Sequence, residues 1–234
     1  MVKRALTPFL DNSMDLFETM RSTFAAREYT DDDLSDELLY ELIENARFAP
    51  SGGNRQAGRI IVVRDKGVQA QLADMSLPTA QHYTAQAMAG ETPFNVIKPT
   101  ALSDEQIAAT EPLPLLTDHI RHAPVVLVVC VDLEAVAALD KDLDRISLAV
   151  GASIYPLVWN ILLGARAKGY GGTFTTITLA VEPQVKALLE IPENWAVATL
   201  VPMGKPVKQL TKLKRRAVEE FVVRDTFDGA PLAE

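Results

Sequence analysis

The chain has 234 residues, 48% of them hydrophobic and 23% charged, with a formal net charge of −8. This suits one soluble domain with a full core, at most with an appendage, and the negative balance argues against general nucleic-acid binding. Cys130 is the only cysteine, which excludes an intramolecular disulfide and a cysteine-based metal site. Its apolar, β-branched surroundings mark a buried strand residue. Lys3 and Arg4 precede no apolar stretch long enough for a secretory signal, so the expected location is cytoplasmic.

Residues 11–23 read as a first helix, with Asn12 or Ser13 as N-cap and Leu16, Phe17 and Met20 on one apolar face. The run Asp31-Asp32-Asp33 reads as a solvated lead into the next helix, whose N-terminal dipole favours negative charge. That second helix spans 35–49 with Ser35 as cap, and Leu38, Leu39, Leu42, Ile43 and Ala46 recur at helical spacing. Pro50 closes it. Ser51-Gly52-Gly53-Asn54 follows, a run able to adopt positive φ and bring N–H groups close to a ligand. On shape alone it reads as an ordinary connection into a strand at 59–64.

A short helix is expected at 68–75. The segment 77–122 then has five prolines and no sustained period, with short helices expected near 80–89 and 103–110. Long segments of this kind are often lids or binding loops. It holds all three histidines: His82, His119 and His122. The last two have a metal-ligand spacing but no third ligand nearby, so solvent-exposed or hydrogen-bonded histidines are expected. Residues 125–132 form a β-branched strand. Residues 146–164 are the most apolar of the chain, but polar residues and flanking charges favour a buried helix over a membrane span. A helix apolar on every side is covered more easily in a dimer.

Gly169-Tyr170-Gly171-Gly172 closes that helix without completing a dinucleotide fingerprint. An extended stretch at 173–179, a helix at 182–189 with Pro183 in its first turn, and a strand at 195–201 follow. Lys205, Lys208, Lys212, Lys214, Arg215 and Arg216 make the tail basic, which fits a phosphate or acidic partner and equally a solvated arm. Residues 217–227 carry too little apolar content to fold alone.

These pieces, in this order, resemble the nitroreductase family of FMN-dependent oxidoreductases. The match is carried by Arg27-Glu28-Tyr29 with Leu34 to Leu39; by Ala46-Arg47-Phe48-Ala49-Pro50-Ser51-Gly52-Gly53-Asn54-Arg55-Gln56; by Asn160 to Gly172; and by Leu188 to Pro192, Gly204-Lys205-Pro206 and Arg215 to Glu220. Segment 77–122 is unmatched.

The resemblance implies an α+β three-layer sandwich: a mixed, mostly antiparallel sheet with helices on both faces, in an intertwined homodimer. It implies a single domain over 1–234, with 77–122 a lid-like insertion and 205–234 an arm crossing to the partner, and with FMN at the dimer interface. Arg27 would face the N1–C2=O edge, where a fixed cation stabilises the reduced ring. Pro50, Ser51, Gly52 and Asn54 would reach the flavin from the partner subunit. Gly171, Gly172 and Thr173 would face N5, with glycine leaving room for substrate, and Lys214 and Arg216 would hold the phosphate. Ala25 belongs to the same cofactor-binding set.

No protein acid, base or metal is required by this chemistry. The implied reaction passes hydride from NADH or NADPH through FMN to a nitroaromatic, quinone or activated alkene by a ping-pong route. A non-catalytic FMN-storage protein and a flavin-fragmenting or dehalogenating relative are the alternatives. The sequence departs from the family where Thr23, Phe24 and Ala25 replace its arginine and serine, with Arg21-Ser22 out of register. It departs again where Ala57 and Gly58 replace proline and tryptophan.

Overall fold

A computed structural model describes residues 14–233. Strands β1 (Gly58–Val63), β2 (Val125–Asp132), β3 (Gly171–Gly172) and β4 (Trp195–Gly204) form one sheet in the order β1-β2-β4-β3. All three pairings are antiparallel. A parallel bridge from Ala25 to Gly172 extends the sheet past β3 and makes it mixed.

The central strand β2 explains the layering. Side chains of a strand alternate between faces, and every residue of β2 from Val125 to Val131 is buried. Val125, Leu127 and Val129 pack with helices α2 (Asp36–Ala46) and α6 (Tyr155–Ala167). Val126, Val128 and Cys130 pack on the other face, with α3 (Lys66–Met88), α5 (Asp118–His122) and α7 (Glu182–Leu188). Each side chain buried in this way contributes about 1.5–3 kcal/mol relative to exposure. Two such cores around one sheet make the expected α+β sandwich. Burial pushes the Cys130 thiol up to about 11, in keeping with a structural role.

Several expected elements are corrected. Helix α1 is Leu16–Ser22, capped by Asp15, whose side chain accepts the N–H groups of Phe17 and Glu18; Asn12 and Ser13 lie outside the described residues. Its expected apolar face is uncovered, with Leu16 and Phe17 each 62% exposed. Helix α2 is capped by Ser35 as expected but ends at Ala46.

The two short helices expected at 68–75 and 80–89 are one, the 23-residue α3 that runs through Pro78. Proline ordinarily breaks a helix, but the buried face Leu72, Ala73, Ser76, Thr79 and Ala80 continues across it and packs on α5, α7 and the 3-10 turn at Ile177–Val181. Tertiary burial overrides the local cost. A further helix, α4 (Asp104–Ala108), has a capping box between Ser103 and Gln106.

The apolar helix expected from 146 begins only at Tyr155. A 3-10 turn, Ala149–Ser153, precedes it, and Pro156 occupies its first turn, where a missing N–H costs nothing. Ile146 and Leu148 are 59% and 72% exposed. The expected extended stretch 173–179 is extended only to Thr175, which bridges to Leu200; a 3-10 turn follows. After β4, Val207 N–H donates to Glu28 O and Thr30 N–H to Lys205 O. Gln209 Nε2 then donates to Ser22 O at 3.3 Å, and the tail closes in a turn-back, with Arg224 N–H donating to Ala230 O and Leu232 N–H to Val222 O.

Candidate functional site

The expected site residues separate into two groups. The first sits where the N-terminal segment meets β3. Ala26 N–H donates to Gly172 O at 3.1 Å. The Tyr29 hydroxyl lies 2.8 and 2.9 Å from the carbonyl oxygens of Ala26 and Pro202, tying residues 25–29 to β4. This leaves Ala25 and Arg27 exposed above a buried floor of Gly171, Gly172 and Thr173. The floor is close-packed. A Cβ on Gly172 would stand 2.6 Å from Pro202 O and 2.9 Å from Met203 Cγ. The chain's own packing therefore requires this glycine, whatever binds above it.

Two cavities open on this edge. One of about 200 Å³ is lined by Phe24, Ala25, Trp159, Gly172, Thr173, Phe174 and Arg215, among others. The second, of about 480 Å³, holds Arg27 with Tyr83, Phe94, Phe174 and the turn at 175–180. Phe174 is common to both. We call the two cavities together the trough; Arg215 lines one of them and Arg27 the other.

The second group lies elsewhere. Pro50 and Ser51 line a cavity of about 350 Å³ with Arg47, Gln56, Ile60, Ser153 and Leu157, and it shares no lining residue with the trough. The loop is held by its own bonds: Gln56 N–H donates to Ser51 Oγ at 3.0 Å, and Gly52 N–H to Ser153 Oγ at 3.1 Å. Gly53, Asn54 and Gln56 have φ of 60°, 52° and 50°. Left-handed backbone is uncommon outside glycine, and such conformations concentrate where function requires them.

Lys214 and Arg216 do not reach the trough. Both are exposed, and the Arg216 guanidinium stacks over the Phe221 ring at 5.5 Å. The residue between them, Arg215, lines the cavity instead, with its Nη1 donating to Lys214 O. Neighbouring side chains of non-helical chain point to different sides, so a one-residue difference decides which base faces the site. Trp159, Phe174 and Arg215 were the cavity residues missed as site candidates.

His119 corrects the expectation of exposed or bonded histidines. It is 2% exposed, and neither ring nitrogen has a partner of good hydrogen-bond geometry, the Leu115 backbone giving only a weak contact. Burial first, then the Arg27 charge, pulls its pKa down to about 4. The imidazole is neutral at pH 7, which leaves Arg27 as the charge that matters here. Among the described residues, no cluster of His, Cys, Asp and Glu is arranged to hold a metal ion, and no helix is long and apolar enough to cross a membrane.

A sequence model of the Nitroreductase family matches residues 20–205. The chain belongs to the nitroreductase family. Among curated relatives, an NADH dehydrogenase of Thermus thermophilus is 29% identical over 199 residues, covering 84% of this chain and 89% of that one. Among solved structures, an iodotyrosine deiodinase bound to FMN and 3-iodo-L-tyrosine aligns with a TM-score of 0.65 at 20% identity, over 91% of this chain and all of the other. The NADPH:FMN oxidoreductase from Vibrio harveyi complexed with NAD+ aligns at 0.63 and 21% identity, over 90% of this chain and 76% of that one. At these identities the structural likeness establishes the nitroreductase fold.

The residues present fit a flavin mononucleotide. Arg215 lines one cavity of the trough and Arg27 the other, both among apolar and aromatic side chains, which suits a ligand with a phosphate and an electron-rich ring edge.

Proposed function

We propose that the protein is an FMN-dependent oxidoreductase that uses NADH or NADPH and works as a homodimer. The observation that carries this reading is that Arg27 and Arg215 line two cavities that share Phe174, the one beside Arg215 also being lined by Gly172. Arg215 would hold the phosphate and Arg27 the pyrimidine edge. Bound there, FMN would supply the redox chemistry of hydride transfer between a nicotinamide and an electron-poor acceptor. Arg27 stabilises the negative charge that reduction places at that edge. His119, neutral and buried, adds no competing charge.

The Pro50–Asn54 loop, outside its own chain's trough, would complete the site of a second copy. The uncovered Leu16, Phe17, Met20, Ile146 and Leu148 support a dimer, because apolar surface of that extent on a small domain marks an interface. Arg215 lines its own chain's cavity, so only the tail beyond it would cross to the partner.

Purified protein should be yellow and release FMN on denaturation, and anaerobic mixing with NADPH or NADH should bleach the flavin band. Colourless protein that takes up no added FMN would overturn the reading. A second reading is reductive dehalogenation, favoured by the full-length alignment with the iodotyrosine deiodinase. Halide release from iodotyrosine under reducing conditions separates it from transfer to a nitroaromatic or quinone.

A further inference from the structure

Arg215 reaches its cavity on a stretch with almost nothing to hold it. Residues 208–216 form no helix or strand. Among the described residues they make no backbone–backbone hydrogen bond and no ion pair. Their one hydrogen bond to a distant part of the chain runs from Gln209 Nε2 to Ser22 O at 3.3 Å. The same nitrogen donates to Leu210 O at 2.8 Å. The amide's Oε1 is buried without a partner, a costly arrangement that leaves its NH2 group facing two carbonyl oxygens. Leu210 and Leu213 are half-buried, and the other residues from Thr211 to Arg216 are exposed.

The receiving end of this bond is firmly built. Ser22 closes α1 and is 2% exposed. Its hydroxyl donates to Glu18 O at 2.7 Å and accepts Arg166 Nε at 2.9 Å. Arg166 belongs to α6 and is also buried. Residues three and four apart share a helix face, so Trp159, Leu162 and Arg166 stand on one face of α6. Trp159 and Leu162 line the cavity together with Arg215. Thr23, Phe24 and Ala25, which follow Ser22 directly, line it too. The point that holds the tail is therefore continuous with two walls of the cavity. Val207, whose N–H donates to Glu28 O, marks where the tail leaves the sheet, and the Gln209 amide sets its direction from there.

We propose that Gln209 is a positioning residue: its bond to Ser22 turns the tail along α1 and α6, so that Arg215 stands in its own chain's cavity to meet the phosphate of the flavin. The assignment rests on the FMN reading above. A guanidinium makes its strong, charge-assisted bonds to phosphate only in a defined geometry. Ordering a free arm at the moment of binding costs affinity, and a tether formed in the folded chain lowers that cost.

The test is fluorescence titration of FMN, and of riboflavin, which lacks the phosphate, into flavin-stripped full-length protein. Gln209→Leu should weaken FMN binding roughly two- to tenfold and leave riboflavin binding unchanged. In an Arg215→Ala background it should cost nothing more. Unchanged FMN affinity, equal weakening of both flavins, or an effect that survives without Arg215 would overturn the proposal, since a merely structural residue acts in one of those ways. A second arm needs no flavin. Trp159 lines the cavity with Arg215, and Trp195→Phe leaves it as the one tryptophan. Adding Gln209→Leu should raise its quenching by acrylamide, and unchanged quenching contradicts the tether. Wild-type protein that binds neither flavin but shows the quenching difference contradicts the FMN reading and keeps the tether. Protein that binds FMN with no quenching difference does the reverse.

Discussion

Gly52 donates its backbone N–H to the Ser153 hydroxyl, 3.1 Å away, across 101 positions of sequence. The bond fastens the strained Ser51–Gln56 loop to the turn that leads into α6. Loop and helix entry thus form one surface that a second copy can meet as a unit. Ser153→Ala should free the loop, at a cost of about 0.5–1.5 kcal/mol. Hydrogen exchange at residues 51–56 should quicken, and FMN affinity should fall by up to roughly tenfold. Unchanged exchange would show that the bond does not hold the loop.

Gly172 is the tightest point of the trough floor. Gly172→Ala places a methyl 2.6 Å from Pro202 O, and overpacking of this kind costs about 1–3 kcal/mol. Thermal unfolding should report that loss even in protein stripped of ligand. If stability is unchanged and only substrate affinity falls, the glycine serves the substrate and not the packing.

The basic tail is the place where sequence and structure part most usefully. Arg215→Ala should weaken FMN binding by roughly 10- to 100-fold, the scale of a lost charge-assisted contact. Lys214→Ala and Arg216→Ala should each do much less. Fluorescence titration of FMN into the stripped protein separates the three.

Strands β1, β2 and β4 were legible because they carry β-branched runs, and β2 was expected at its observed limits; the two-glycine β3 was not, because glycine carries no strand signal. The faces of α2 followed from the spacing of Leu39, Leu42 and Ala46, all buried. Helix α3 was not legible, because Pro78 carries a strong local signal while the burial that overrides it comes from distant α5 and α7. Arg215 was hidden for another reason: a segment without period gives no rule for which of three adjacent bases faces inward. Burial of His119 depends on the packing of α3 on α5, which the irregular sequence between them does not announce.

That histidine gives the fold a pH dependence of known sign. In the folded chain it titrates near 4 against an ordinary value of 6.5. Between those values the unfolded chain binds more protons, so stability rises with pH across the window and levels off above about 6.5. Acidification from 6.5 to 4 should cost up to about 3 kcal/mol through this group. Urea unfolding of His119→Leu should show a flatter profile there. An unchanged slope would place the dependence on other groups.

The central claim is that one chain's trough is completed by another chain's loop, and mixed dimers test it most directly. One chain would carry Arg27→Ala with Arg215→Ala, and a differently tagged chain would carry Ser51→Asp with Asn54→Asp. Each homodimer should hold almost no FMN. The co-expressed heterodimer, isolated through both tags, has one trough and one loop intact on different chains. The account predicts that it recovers half the wild-type flavin content. A heterodimer as empty as its parents would contradict it, because a loop that served its own chain's trough would leave both sites broken.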